Sequence, residues 1–389
     1  MTAPLYRPMR ARDPREARGQ TPLELLFDLA FAAASGAAAI QFADTLRGTG
    51  WAEATLAFAM AFFAIWWAWL NFSWLMSAYD TGDGVTWLVT TLQVIGACVL
   101  AAGVPGAAAE QDFTVITIGY AVMRLPLAAQ WARAAAGDPA RRSTCLRYAA
   151  GLLVVQAGWL GRLALPGEWL LPVFLLLAAA EFAVPAWAQR AGRMPTNPGH
   201  LAGRYGRFTL TVAAQVVAAA IYAIQQAVAE DAARGPLALV AVLAVGLVGC
   251  LLWLYHALPH ARLAAGPSPR LWEYGHFLIV GAVGAVGAGA RFLAEGVVSG
   301  GAGAGGIQRW AAHPLALAVA VAVASIWLVC VLPSRQHPAG WVRARYPGCA
   351  VSVVLAPVAI PSPLWAAGTV GLLLLALAAT EYRAWAGDR

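Results

Sequence analysis

The chain contains no lysine, so all 26 of its basic residues are arginine. Charge of either sign is scarce, at 12% of 389 residues. Water-soluble domains carry about twice that fraction, which excludes such a domain as the body of the protein. The five cysteines (Cys98, Cys145, Cys250, Cys330 and Cys349) are odd in number and scattered, mostly in or beside apolar runs, with no CxxC pair. A disulfide framework or a zinc site therefore has no support, and buried free thiols are expected. Neither a Ser–His arrangement, an HExxH helix nor a nucleotide-binding motif is present, so no enzymatic role is expected. The GAGAGG at Gly301–Gly306 matches a dinucleotide fingerprint by letter only; it lies in a Gly-rich loop with no strand before it and reads as a flexible connector. His256 and His260 stand four apart, but Pro259 breaks the helix between them, so no metal is expected. No cofactor is expected either.

What the chain has in abundance is apolar surface. It is 60% hydrophobic, with 17 Trp and 39 Gly. Trp anchors at membrane interfaces, and Gly lets helices approach closely. Apolar windows of bilayer length recur near 22–43, 52–76, 85–105, 113–133, 146–165, 168–189, 207–229, 236–258, 272–295, 310–333, 342–360 and 363–385. The expected fold class is all-α, a polytopic helical membrane protein of about twelve spans. The first span is too long for a cleaved signal peptide, and Glu24 and Asp28 interrupt its apolar run.

The net charge of +7 does not point to nucleic acid, because the arginines sit in short loops between apolar runs. They cluster before the first span (Arg7, Arg10, Arg12, Arg15, Arg18) and after the fourth, sixth, eighth and tenth. The alternate loops hold few. Positive-inside bias then places both termini in the cytoplasm. The loop Tyr79–Gly84 is the exception, with acids and no arginine. TPLELLFDLAF (21–31) echoes GRYGRFTLTVA (203–213), and AIWWAWLNFSW (64–74) echoes GCLLWLYHALP (249–259). The echo divides the chain into a basic cytoplasmic segment (1–20), a first six-helix half (21–190), a cytoplasmic linker (191–206) and a second six-helix half (207–389). Two six-span halves would be a parallel repeat about an axis along the membrane normal.

Charge inside a span is expensive unless it is paired, solvated or used. Thr21-Pro22-Leu23-Glu24 has the form of a helix start, with Thr21 at the N-cap and Glu24 closing a capping box. Asp28 lies one turn deeper and needs a partner. Span direction puts Arg124, Gln93, Glu181, Asn71 and Asp80 at matching depth, all in or beside the cytoplasmic half. Two uses are open for this cluster: an Arg–carboxylate clamp between helices, or a cytoplasm-facing cavity for a small solute or ion. Asp28, Arg124, Gln93, Glu181, Asn71, Asp80 and Glu24 are its candidate lining residues, with Asp28 expected to pair with Arg124 and Glu181 close by. Gly281, Gly284, Ala285, Ala288 and Gly289 give the ninth span a small-residue face for packing.

TPLELLFDLAF (21–31), NFSWLMSAYDTGD (71–83), TLQVIGACVLAAGVP (91–105), YAVMR (120–124), HLAGRYGRFTL (200–210), WLYH (253–256) and YGHF (274–277) together resemble the bacterial low temperature requirement A membrane proteins. The resemblance covers most of the first nine spans. It implies a multi-pass membrane protein linked to growth in the cold, and it places Glu24, Phe27, Asp28, Asp80, Asp83, Gln93 and Arg124 at the family's polar positions. The second half departs from the pattern. Gln215 stands where the family has a glutamate, and the aspartate expected near WLYH is absent. Of the functions open to such a protein, a secondary transporter fits best. An ion channel or a structural, lipid-interacting role are the alternatives, with membrane lipids and a small solute or ion as partners.

Topology is directly testable. Cysteines placed at Gly137 and Gly199 are expected to react with impermeant reagents from the cytoplasm, and ones at Gly50 and Gly303 from outside. Reaction of Gly50→Cys and Gly199→Cys from the same side would defeat the assignment of both termini to the cytoplasm.

Overall fold

A computed structural model describes all residues except 1–3, 15, 17, 49, 81, 230–233, 300–309, 335–339 and 388–389; the side chains of 80, 299, 340–342 and 383–387 are also outside the described set. Thirteen α-helices are described: α1 (Pro22–Gly48), α2 (Trp51–Ala78), α3 (Gly84–Ala109), α4 (Thr114–Gly137), α5 (Arg142–Arg162), α6 (Leu170–Ala188), α7 (Pro198–Ala229), α8 (Arg234–His256), α9 (His260–Ala264), α10 (Pro269–Ser299), α11 (His313–Ile326), α12 (Gly340–Ala359) and α13 (Pro363–Gly387). Twelve are long and lie where apolar windows recur. Nine of the described helices, α1, α2, α3, α6, α7, α8, α10, α11 and α13, are long and apolar enough to cross a membrane. The arginine-bearing helices α4, α5 and α12 do not reach that apolarity, so twelve spans are not established by length and composition. Rows of large apolar side chains face outward on the long helices, among them Leu175 and Leu176 on α6, Val242 on α8, Val358 on α12 and Leu372 on α13. Apolar surface of that extent belongs against lipid or another apolar partner.

The helix starts follow local chemistry. At α1 the Thr21 N–H donates to Glu24 Oε2 (2.7 Å) and the Glu24 N–H to Thr21 Oγ1 (3.3 Å), which is the expected capping box. At α3 the Asp83 carboxylate caps, accepting from the Thr86 N–H at 2.9 Å. Asn197 does the same for α7, accepting from the His200 N–H at 2.9 Å, with Pro198 at the first helical position.

The chain divides into two compact units, Met1–Ala38 with Met60–Arg204, and Ala39–Ala59 with Tyr205–Arg389. In the first, α3, α4, α5 and α6 pack consecutively. Buried Trp66, Trp67, Trp69, Trp131 and Tyr148 fill it, and Phe27 stacks on Phe72 at 3.7 Å. In the second, α8, α10, α11, α12 and α13 form a closed ring, each packed on the next and α13 returning to α8.

The basic N-terminal segment is a strap within the first unit. Arg10–Ala11 (β1) pairs antiparallel with Tyr79–Asp80 (β2), with Arg10 opposite Asp80. Leu5 O accepts from the Val85 N–H (3.0 Å), and Arg18 Nη1 donates to Met76 O (2.8 Å). This explains the acidic loop that broke the arginine pattern. Asp83 accepts from the Arg7 N–H at 2.9 Å and pairs with Arg133. Burial alone would push the Asp83 carboxyl up. The hydrogen bonds from Thr86 and from the Arg7 backbone, with the Arg133 charge, outweigh that and hold it below its usual range. The backbone of Met9, a buried residue of the strap, leaves no space for a Cβ at Gly137, so Gly199 is the sounder of those two labelling positions.

The closest helix contact is between α3 and α4. A Cβ on Gly103 would lie 2.6 Å from the Ile116 N, and one on Gly119 would meet the Leu100 backbone. Gly119→Ala must therefore push the helices apart, an overpacking cost of about 1–3 kcal/mol. Gly249→Ala on α8, with nothing within 4 Å, is expected to be neutral or to gain up to about 1 kcal/mol of helix propensity. Thermal unfolding in detergent compares the two; equal effects would mean that α3 and α4 are not in backbone contact.

Candidate functional site

Two charge clusters lie inside the first unit, on either side of α2. Trp67 and Trp69 are two residues apart, so their side chains leave the helix about 200° apart. Each indole N–H donates to a different carboxylate: Trp67 to Glu181 Oε2 at 2.8 Å, and Trp69 to Asp28 Oδ1 at 2.7 Å.

The first cluster joins α1 to α7. Asp28 Oδ1 also takes a hydrogen bond from Arg204 Nη2, and its Oδ2 takes one from Gln20 Nε2. One turn earlier, Glu24 Oε2 accepts from Thr21 and from Arg18 Nη2 (3.1 Å), while its Oε1 lies 3.0 Å from His200 Nε2 and 4.0 Å from Arg204 Nη1. The Arg204 guanidinium sits 5.2 Å from the Phe72 ring centroid and 5.5 Å from that of Trp69, where their π faces favour a cation. Both acids and Arg204 are 0% exposed. Two carboxylates stand against two guanidiniums, so with His200 neutral the cluster carries no net charge.

The second cluster joins α2, α4, α5 and α6. Glu181 Oε1 accepts from Tyr120 Oη (2.8 Å) and Trp159 Nε1 (3.3 Å); its Oε2 accepts from Trp67 and from Arg124 Nη2. Four donors saturate one carboxylate, and this cluster is neutral as well. Arg124 Nε and Nη1 and Arg204 Nε and Nη1 make no hydrogen bond, which leaves each guanidinium with donors to spare.

The site residues expected from the sequence are thus sorted differently. Glu24 joins Asp28, and Arg124 joins Glu181, but Asp28 does not meet Arg124. Its guanidinium is that of Arg204. Equal depth does not make two residues neighbours when α2 separates them. Asn71 bonds back to Trp67 O (2.8 Å) on its own helix, and Gln93 reaches toward Val89 O (3.5 Å) on its own. Asp80 enters the short strand pair through its backbone, and its side chain is outside the described set. Asp28, Glu24, Arg204, Glu181 and Arg124 are buried, while Arg18 and Gln20, at the edge of the first cluster, are partly exposed.

Sequence reasoning missed Arg204, His200, Gln20 and the indoles. A signal for the first two existed. Asn197-Pro198 is a helix start of the same kind as Thr21-Pro22, and it puts His200 and Arg204 at the same steps into α7 as Glu24 and Asp28 occupy in α1. Both acid–base partners are accordingly 176 positions apart.

Long apolar helices with paired charges buried between them define an integral, multi-pass helical membrane protein. The chain belongs to the bacterial low temperature requirement A protein (LtrA) family, whose model matches residues 20–380. No curated protein and no solved structure matches it.

The pairings give a quantitative test. Removing one member of a buried pair typically costs about 3–5 kcal/mol, because the other is left charged and unpaired. Asp28→Asn and Arg204→Gln should each cost that much in thermal stability, and the double variant should recover most of it. Asp28→Asn combined with Arg124→Gln should be additive. Coupling in the second cycle and none in the first would reverse the assignment.

Proposed function

We propose that the protein is a secondary transporter of a small charged solute or ion, with the two buried clusters as its substrate-handling groups. In this reading it has twelve spans in two six-helix halves, and both termini are cytoplasmic. The observation that carries it is the placement of four carboxylate and guanidinium side chains, Asp28, Arg204, Glu181 and Arg124, wholly out of solvent on helices mostly long and apolar enough to cross a membrane. Replacing buried ion pairs by apolar side chains is often neutral or stabilising, so stability alone is a weak reason to keep two of them. Ionisable groups at such positions commonly mark solute and ion pathways. The spare donors on Arg124 and Arg204 give an anionic group on the solute somewhere to bind when a cluster opens. The matched starts of α1 and α7 fit the repeat that alternating access uses.

A structural clamp is the second reading, favoured by the complete saturation of Glu181. Flux into proteoliposomes, measured over a panel of inorganic ions and small carboxylates at low and ordinary temperature, separates the two. Transport predicts flux of at least one panel member that is lost in Asp28→Asn/Arg204→Gln, although that double variant is stable. Absence of flux across the panel, together with cold growth supported by the double variant as well as by the parent, would reject transport and leave the clamp.

A further inference from the structure

Three side chains with no part in those clusters meet in the second unit. His260 opens α9, His276 lies two turns into α10, and Cys330 sits on the π turn Trp327–Val331 that continues α11. One ligand-capable atom from each lies within 4.8 Å of the others. The hydrogen bonds fix which ring nitrogens carry protons. His276 Nδ1 is 2.5 Å from Trp272 O, and His260 Nε2 is 2.7 Å from Tyr255 O. A carbonyl can only accept, so both nitrogens are N–H donors. The lone pairs are therefore on His276 Nε2 and His260 Nδ1. The first accepts from Tyr255 Oη at 2.9 Å and the second from Trp272 Nε1 at 3.3 Å. An imidazole that gives its far N–H to a backbone carbonyl is in the form that metal-binding histidines take.

We propose that His260, His276 and Cys330 form a binding site for one thiophilic monovalent cation, cuprous copper. A thiolate and two imidazoles suit soft d¹⁰ ions. Cu⁺ with one thiolate makes a neutral site, whereas Zn²⁺ would leave a net positive charge among buried groups, which is costly. On binding, the Cys330 S–H bond breaks, the sulfur pair goes to the metal and the proton leaves to solvent. The Tyr255 hydroxyl hydrogen rotates off the His276 lone pair, and the long Trp272–His260 hydrogen bond (3.3 Å) is given up.

The backbone is arranged for this meeting. The Leu332 N–H reaches Trp327 O (2.7 Å) across the widened π turn, and such turns often occur at functional sites. At Gly275 a Cβ would collide with Val329, so only glycine lets α10 approach the turn this closely. A cavity of about 690 Å³ is lined by Pro259, Arg262, Trp272, Val329 and Ser334, among them the sequence neighbours of His260 and Cys330.

The test uses the full chain, purified in detergent, stripped of metal and titrated anaerobically with Cu⁺ against the chelator bicinchoninate. One Cu⁺ per chain is expected, with one sulfur and two nitrogens in its X-ray absorption spectrum. Cys330→Ser should weaken binding by more than about 100-fold, beyond the 10–100-fold typical of groups one step outside a metal's ligands. Cys98→Ser, at an exposed thiol, should change nothing. Should His276→Ala fail to fold, His260→Gln, at the more open edge, must show the same loss with unchanged helical circular dichroism. Failure of the parent to hold Cu⁺ against the chelator, or unchanged binding in Cys330→Ser, overturns the site. Retention of Zn²⁺ with no Cu⁺ bound overturns the monovalent assignment.

Discussion

A carboxylate removed from water must have its lone pairs filled, and the first unit is arranged around that demand. Asp28 and Glu181 lie on opposite sides of α2, and each is met by an indole N–H from it and by one guanidinium. The indoles suit this task because each offers a donor without adding charge and buries a large apolar ring. The spacing of Trp67 and Trp69 therefore fixes the rotation of α2, since turning the helix would withdraw both donors at once. With α2 fixed, α1 and α7 are held by the Asp28 cluster, and α4, α5 and α6 by the Glu181 cluster.

The helix dipoles make the first cluster asymmetric. Glu24 and Asp28 near the start of α1 are favoured by the positive end of their own helix. Arg204, near the start of α7, is not, and its place depends on carboxylates brought from α1. This gives the arginines two distinct employments. Arg18 and Arg133 neutralise buried acids at the strap and at the Asp83 cap. Others, such as Arg190 and Arg193, stand in the loop clusters that a positive-inside rule counts.

Local chemistry was legible in the sequence, and lateral neighbours were not. Apolar windows located the long helices, because length and hydropathy are properties of a segment by itself. Thr21, Pro22 and Glu24 announced their capping box because all of its groups lie within four residues. The partner of Asp28 required knowing which way each helix faces, and depth along the membrane normal carries no such information. Placing the start of span seven at 207 rather than at Pro198 hid Arg204 in a supposed loop, so the nearest buried arginine at equal depth, Arg124, took its place. The acidic loop at Tyr79–Gly84 looked anomalous for the same reason, its balancing arginines being remote in sequence.

The two units solve the problem of buried polarity differently, and this bears on the second-half acids that the family pattern led one to expect. In the first unit the buried acids Asp28 and Glu181 are each paired with a buried guanidinium. Ion pairs of the second unit include Arg345–Glu381 and a partly exposed group of Arg47, Asp44, Arg291 and Glu295. Beside the Arg345–Glu381 pair that unit also buries neutral polar groups: the Tyr255 phenol, the His276 imidazole, the Cys330 thiol and the Thr209 hydroxyl, which bonds back to Tyr205 O. Gln215 is a neutral amide, so at that position of α7 no carboxylate needs a guanidinium, and none has to be buried to meet it. A network of neutral donors and acceptors avoids the desolvation cost of ions, and its ring lone pairs are filled from within by Tyr255 and Trp272.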